Sequence, residues 1–188
     1  MSKEDWAQNT LPEIFKDEWP EGIVSVLDVG CGLSLKSKYI PAQIRVGVDI
    51  YPEYFKHIEA DVPYVVIKWD ARRLEEIFEP KSFDLVIATD IVEHLHFREA
   101  VPMMEAMERI ARKAVIIETP MGFVNQNIDI TGHGGHEWQT HRSAWQPRDF
   151  QLRGYKTKIR DYKMQNVQRH TELEVHPDIV LIDAIKYV

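Results

Sequence analysis

The chain has 188 residues, of which 44% are hydrophobic and 28% charged, and 30 acidic against 23 basic residues give a net charge of −7. These values are ordinary for a globular domain of roughly 100–200 residues, and the acidic balance reads against a nucleic-acid partner, which needs Lys and Arg to neutralise phosphates. The single cysteine, Cys31, excludes an internal disulfide, and no run reaches the ~18 apolar residues of a membrane span. In chain order, residues 1–20 read as an N-terminal cap with a helix around Leu11–Phe15. The runs IVSVLDV (23–29), IRVGVDI (44–50), YVVIKW (64–69), FDLVIAT (83–89) and KAVIIET (113–119) read as five strands separated by helical stretches. Between the last two, Phe97, Ala100, Val101, Met104, Met107, Ile110 and Ala111 recur at helical spacing, a stripe that belongs in a core. Near-continuous apolar strands alternating with helices predict a doubly wound, mostly parallel α/β sheet covered on both faces.

After residue 119 the alternation stops. Residues 120–142 form a long loop rich in glycine and histidine, followed by a short helix from Pro147 to Leu152 and Gly154 just beyond it. Two strands near 155–162 and 178–187 close the chain, joined by a polar segment with Pro177 that is expected to be a mobile connection. The predicted organisation is one domain, 1–188, with a nucleotide-binding core at 22–119, a substrate loop and short helix at 120–154, and a final strand pair at 155–188. The opening MSKEDWAQNT is charged and polar, against a secretory signal, so a cytoplasmic location is expected. Arg142, Arg148, Arg153, Lys156, Lys158 and Arg160 form a modest basic stretch, read as solvated surface charge.

The segment VLDVGCGLS (26–34) carries the most chemical information. Gly30 and Gly32 follow a strand directly, where glycine permits a sharp turn and lets backbone N–H groups approach a ligand. Alone, that pattern fits a plain strand-to-helix turn as well as a ligand cradle. Asp28, two positions earlier, can anchor a cationic amino group, directly or through water, and would repel a pyrophosphate. The dinucleotide fingerprint wants a third glycine where this chain has Leu35. Asp49, ending the second strand, is placed to accept from ribose hydroxyls, and Asp70, ending the third, from an adenine amino group. A single such aspartate can be a helix cap, but three on successive strands beside a glycine turn line the crevice where open parallel sheets bind ligands.

These residues, with TDIVEHL (89–95), resemble the class I S-adenosylmethionine-dependent methyltransferases, in particular the methyltransferase-11-like group, over about residues 22–119. The final strand pair also fits that family's antiparallel last strand. The resemblance implies S-adenosylmethionine as cofactor, with Asp28, Gly30, Cys31 and Gly32 at its methionine end. It implies Asp49 and Ile50 at the ribose, Asp70 and Ala71 at the adenine, and Thr89 and Asp90 lining the cleft under the sulfonium. Ser34 stands where a third glycine is common in the family.

Methyl transfer is an in-line displacement that needs alignment first and, for a neutral oxygen or nitrogen acceptor, a base. The candidates are His94, after the fourth strand, and His133, His136 and His141 in the long loop, which lies where this fold builds substrate contacts. Three histidines beside Glu137 are zinc-ligand types, but His136–Glu137 followed by His141 is not H-E-x-x-H, because position 140 is Thr; no metal is expected. Trp138 and Trp145 would give the loop apolar walls. Thr89–Asp90–Ile91–Val92 lacks the Pro-Pro-aromatic motif of nucleic-acid amino methylation, and Cys31 is not the Pro-Cys nucleophile of cytosine-C5 enzymes. A small-molecule acceptor leads, a protein side chain comes second, nucleic acid is disfavoured and no membrane partner is expected; nothing in the pattern speaks to an oligomeric state. The competing readings are a catalytically silent cofactor-binding regulatory protein and, disfavoured by Asp28 and Leu35, a nicotinamide-dependent reductase.

Overall fold

The computed structural model describes residues 10–33, 36–58, 64–163 and 178–188. Residues 1–9 of the expected cap, Ser34 and Leu35, and the expected mobile connection at 164–177 lie outside them. Seven strands form one sheet: β1 (Ser25–Val29), β2 (Ile44–Asp49), β3 (Tyr64–Lys68), β4 (Phe83–Thr89), β5 (Ala111–Pro120), β6 (Lys156–Lys163) and β7 (Asp178–Tyr187). Their order is β3-β2-β1-β4-β5-β7-β6. The first five run parallel, and β7 pairs antiparallel with both β5 and β6. Chain order reverses direction between β1 and β4, so the carboxyl ends of these two strands flank the crevice where such sheets take ligands.

Alternate residues of each strand feed two cores, as a pleated strand requires. Leu27, Val29, Val86, Ala88, Val115 and Ile117 face α2 (Phe97–Ile110), which buries Met103, Met104, Met107 and Ile110 against them. The methionine stripe is core, as its spacing predicts. Val26, Leu85, Ile87, Ala114, Ile116 and Ile185 face the other way and are covered by Ile40 and by Leu11 and Phe15, at the short helix α1 (Leu11–Ile14). Trp145 and Phe150, the latter on α3 (Pro147–Gln151), close the α2 side, and Gly154 turns the chain beyond α3 at φ +87.

Among the described residues of the links between the early strands, the expected helices are replaced by short 3-10 turns at Ser37–Tyr39, Pro52–His57 and Ala71–Glu76. Coverage of both faces therefore holds at the centre, where all five residues of β1 are buried, and fails at the β3 edge, where Val65 is 58% exposed. Among the described residues no helix is long and apolar enough to cross a membrane.

Candidate active site

The carboxyl ends of β1, β2, β3 and β4 open on a cavity of about 480 Å³ walled by Gly30, Gly32, Asp49, Ile50, Asp70, Ala71 and Asp90. Gly30 makes the turn out of β1 at φ +67 and donates its N–H to the Val48 carbonyl at 2.8 Å. A Cβ on it would stand 2.4 Å from Ile91 Cδ1, whereas a Cβ on Gly32 would meet nothing within 4 Å. Gly32 thus presents bare backbone beside the cavity, while Gly30 is required by packing. A Gly30→Ala variant is expected to lose about 1–2 kcal/mol from the left-handed backbone alone. That corresponds to a Tm lowered by about 2–8 °C in thermal unfolding; an unchanged Tm would contradict this account of the turn.

Asp49 ties that turn to β2. Its Oδ2 accepts from the Gly32 N–H at 2.9 Å and its Oδ1 from the Tyr51 N–H at 2.8 Å. Burial pushes its pKa above the usual carboxylate value, against the pull of those backbone donors. Asp70 caps the turn Ala71–Glu76, accepting from the Arg72 N–H at 2.9 Å and pairing with the Arg72 guanidinium at 2.6 Å. Burial alone would raise its pKa, but the bonds to Arg72 hold it below the ordinary value. Asp28, by contrast, is 2% exposed, accepts from the Tyr64 hydroxyl at 3.1 Å, and forms no part of the wall of either this cavity or its neighbour. Asp28 is expected to anchor a cationic amino group directly or through water; its side chain is turned toward Tyr64 on β3.

A second cavity of about 280 Å³ adjoins the first and shares Gly30, Gly32, Asp90, His94 and Gln139 with it. Cys31 and Thr89, expected at the cofactor, wall this second space. Asp90 holds φ 53, is an exposed residue and walls both cavities; desolvation of its carboxyl group, then the Glu118 carboxylate, raises its pKa to about 7. Behind it lies a buried ion cluster that sequence spacing did not reveal. Glu118 stands 2.8 Å from Lys36 Nζ and 2.6 Å from Arg160 Nη2, and Arg160 Nε reaches Asp183 at 3.0 Å. Burial works against ionisation of Glu118, but Lys36 and Arg160 prevail and keep its pKa below normal, whereas burial carries Asp183 up to about 6.

The long loop folds back over this junction. The Glu93 carbonyl accepts from the Arg142 N–H at 2.7 Å and the Ser143 N–H at 3.1 Å, and the Arg142 guanidinium reaches the His94 carbonyl at 2.7 Å. The structure does not gather the three loop histidines. His133 stacks on His57 with ring centroids 3.9 Å apart, and His136 Nδ1 accepts from the Asp129 N–H at 2.9 Å; neither walls either of these two cavities. His141 turns inward, its ring 4.8 Å from that of His94, and the two, with Glu93, wall the second cavity. Burial drives the His94 pKa down to about 3, with His141 adding to the effect, and lowers that of His141 as well. Both rings are therefore neutral at pH 7. Trp138 walls the first cavity as expected of it, whereas Trp145 is a core residue stacked on Phe97 at 4.6 Å.

With that geometry in place, comparison with known proteins gives a consistent result. Residues 27–117 match the model of a methyltransferase-domain family. Among solved structures, the chain resembles an S-adenosylmethionine-dependent methyltransferase from Archaeoglobus fulgidus at 18% identity and TM-score 0.59, covering 97% of this chain and 93% of that one. It also resembles one from Methanosarcina mazei at 13% identity and TM-score 0.63, over 95% and 98% of the two chains. The magnesium protoporphyrin IX methyltransferase of Synechocystis, solved with S-adenosylmethionine bound, aligns at 16% identity and TM-score 0.53 over 92% of this chain and 74% of that one. Identities this low speak for the fold. None of the curated proteins matches the chain. Residues 27–117 thus match a methyltransferase domain, and the fold around them is that of the S-adenosylmethionine-dependent methyltransferases, whose cofactor is S-adenosylmethionine.

Proposed function

We propose that the protein transfers the methyl group of S-adenosylmethionine to a small molecule held in the second cavity. The meeting of the two cavities at Gly30, Asp90 and His94 carries this reading, because an in-line displacement needs donor and acceptor pockets that open onto each other. The first cavity suits the cofactor. Its wall carries Asp49, Asp90 and Glu137 beside Asp70 and Glu99, which Arg72 pairs, and the guanidinium groups of Arg98 and Arg142, a mixed lining that suits a zwitterionic ligand with an ammonium and a carboxylate. Lone pairs left on Asp49 accept from the ribose hydroxyls, Asp70 and Ala71 flank the adenine, and Gly30 and Gly32 let the backbone close on the methionine end. Ile50 packs beside the ribose. Asp28, which walls neither cavity, anchors the amino group of the methionine end through water. When bound, the cofactor supplies an electrophilic methyl group that is already activated.

The second cavity sets the acceptor. Its volume is near the lower end for small-molecule pockets, and Leu33, Val124, Ile130, Ile179 and Leu181 give it an apolar lining around a few polar groups. Thr89, Cys31 and His94 stand on the acceptor side, and His141 completes that wall. Residues 1–188 act as one methyltransferase domain in which the 120–154 segment supplies the acceptor wall. A cytoplasmic location is part of the same reading, supported by the lone cysteine, Cys31.

Isothermal titration of the purified protein with S-adenosylmethionine and S-adenosylhomocysteine tests the donor half. Micromolar binding of both, with no heat from nicotinamide cofactors, is expected. Release of S-adenosylhomocysteine across a panel of small hydroxyl, amine and thiol compounds then tests the acceptor half. Folded protein that binds neither sulfur compound would sink the reading, and binding of a nicotinamide cofactor alone would point to a reductase.

A further inference from the structure

We propose that Glu93, His94 and His141 hold a divalent first-row transition-metal ion in the wall of the second cavity, where it would grip an oxygen of the methyl acceptor. The role toward the acceptor rests on the function proposed above; the metal site itself does not. One ligand atom from each of the three residues lies within 4.8 Å of those of the other two, and all three side chains are buried. A cation bound at about 2.0–2.2 Å to nitrogen and oxygen wants its ligands roughly 3–4.4 Å apart. Small side-chain rotations close that gap.

Each ligand is already set up by a partner on its far side. His141 Nδ1 lies 2.8 Å from the Val124 carbonyl, which can only accept, so Nδ1 carries the proton and Nε2 the lone pair. The carbonyls of Thr140 and Gln139 lie near the His94 ring, while its Nδ1, buried, has no hydrogen-bond partner among the described residues. Glu93 Oε2 accepts from the Thr119 hydroxyl at 2.8 Å, and Oε1 is buried without a partner. Two orphaned acceptors in one buried cluster are costly unless something occupies the space between them. An imidazole whose other nitrogen donates to a backbone carbonyl, and a carboxylate whose other oxygen is hydrogen-bonded, are arrangements typical around bound metals. Both imidazoles are neutral at pH 7, the form a metal requires. Burial, then the charge of Asp90, lifts the Glu93 pKa well above the usual carboxylate value, so a cation binds there in exchange for the Glu93 proton. Two imidazoles with one carboxylate suit zinc, iron, cobalt or nickel better than magnesium or calcium.

The test is titration of EDTA-stripped protein with Co2+, read by visible d–d absorption and by calorimetry, with S-adenosylhomocysteine binding measured on the same samples. One equivalent of Co2+ per chain is expected. Removing a ligand should cost no less than loss of an outer-shell partner does, so His141→Asn and Glu93→Gln should each weaken binding by about 100-fold or more. The exposed His57→Asn control should leave that equivalent in place. Far-UV circular dichroism shows whether each variant folds, and the wild-type titration decides the matter even if one does not. Folded protein that takes up no Co2+ overturns the site, as does Co2+ binding that both ligand variants leave unchanged. If Co2+ fails while S-adenosylhomocysteine binds, the metal site falls and the methyltransferase reading stands; the reverse result sinks that reading and keeps the site.

Discussion

Replacing Arg160 by methionine is expected to lower the unfolding free energy by about 3–5 kcal/mol, the usual cost of removing one partner from a buried ion pair. Arg160 is the shared cation of two carboxylates, lying 2.6 Å from Glu118 and 3.0 Å from Asp183, which are 1% and 0% exposed. Methionine keeps much of the length and removes the charge, leaving Lys36 to serve Glu118 and leaving Asp183 without this partner. At about 2–4 °C per kcal/mol for a chain of this size, Tm should fall by about 6–20 °C in a thermal scan. A drop under about 2 °C would mean that the cluster contributes little.

The loss should also depend on pH, in a direction that follows from Asp183. Its folded pKa is about 6, above the ordinary 3.8 of an aspartate, and removing Arg160 raises it further. Between those values the folded chain holds a proton that the unfolded chain has released, so stability falls as pH rises across that interval. The Arg160→Met deficit should therefore be smaller at about pH 5 than at about pH 8. Adding Asp183→Asn to Arg160→Met should recover part of the loss, and no recovery would place the cost at Glu118 alone.

The second large effect concerns Asp49. Asp49→Ala should weaken S-adenosylhomocysteine binding by roughly 10–150-fold, the equivalent of about 1.5–3 kcal/mol for charge-assisted hydrogen bonds. The structure enlarges the reason. Asp49 not only faces the cavity but also holds the N–H groups of Gly32 and Tyr51, so its loss frees the glycine turn as well. Because burial holds the Asp49 pKa above 3.8, wild-type affinity should fall on acidification earlier than an ordinary carboxylate would dictate. Asp49→Asn should remove that acid limb while keeping part of the turn. Calorimetric affinity that is the same in wild type and Asp49→Ala would place the ribose elsewhere.

How much of this was legible depends on the range of the interaction concerned. The strands, the amphipathic helix and the helix stop at Gly154 are local patterns, and they appear where periodicity puts them. So do Gly30, Gly32, Asp49, Asp70 and Asp90, since each sits at a strand end and parallel strands present their carboxyl ends to one side. The partner of Asp28, Tyr64, was not legible, because it comes from another strand.

By itself, then, the sequence determined the strand-and-helix alternation, the glycine turn and the row of acidic strand ends, all carried by residues close together in the chain. Only the tertiary structure decided what faces the acceptor. Glu93 and His94 meet His141 because the loop folds back over β4 and is held there by the Glu93 carbonyl. Lys36, Glu118, Arg160 and Asp183 meet because β7 inserts between β5 and β6. Such groups are distant in sequence and drawn together by packing and burial, and no spacing rule along the chain encodes their distance in space.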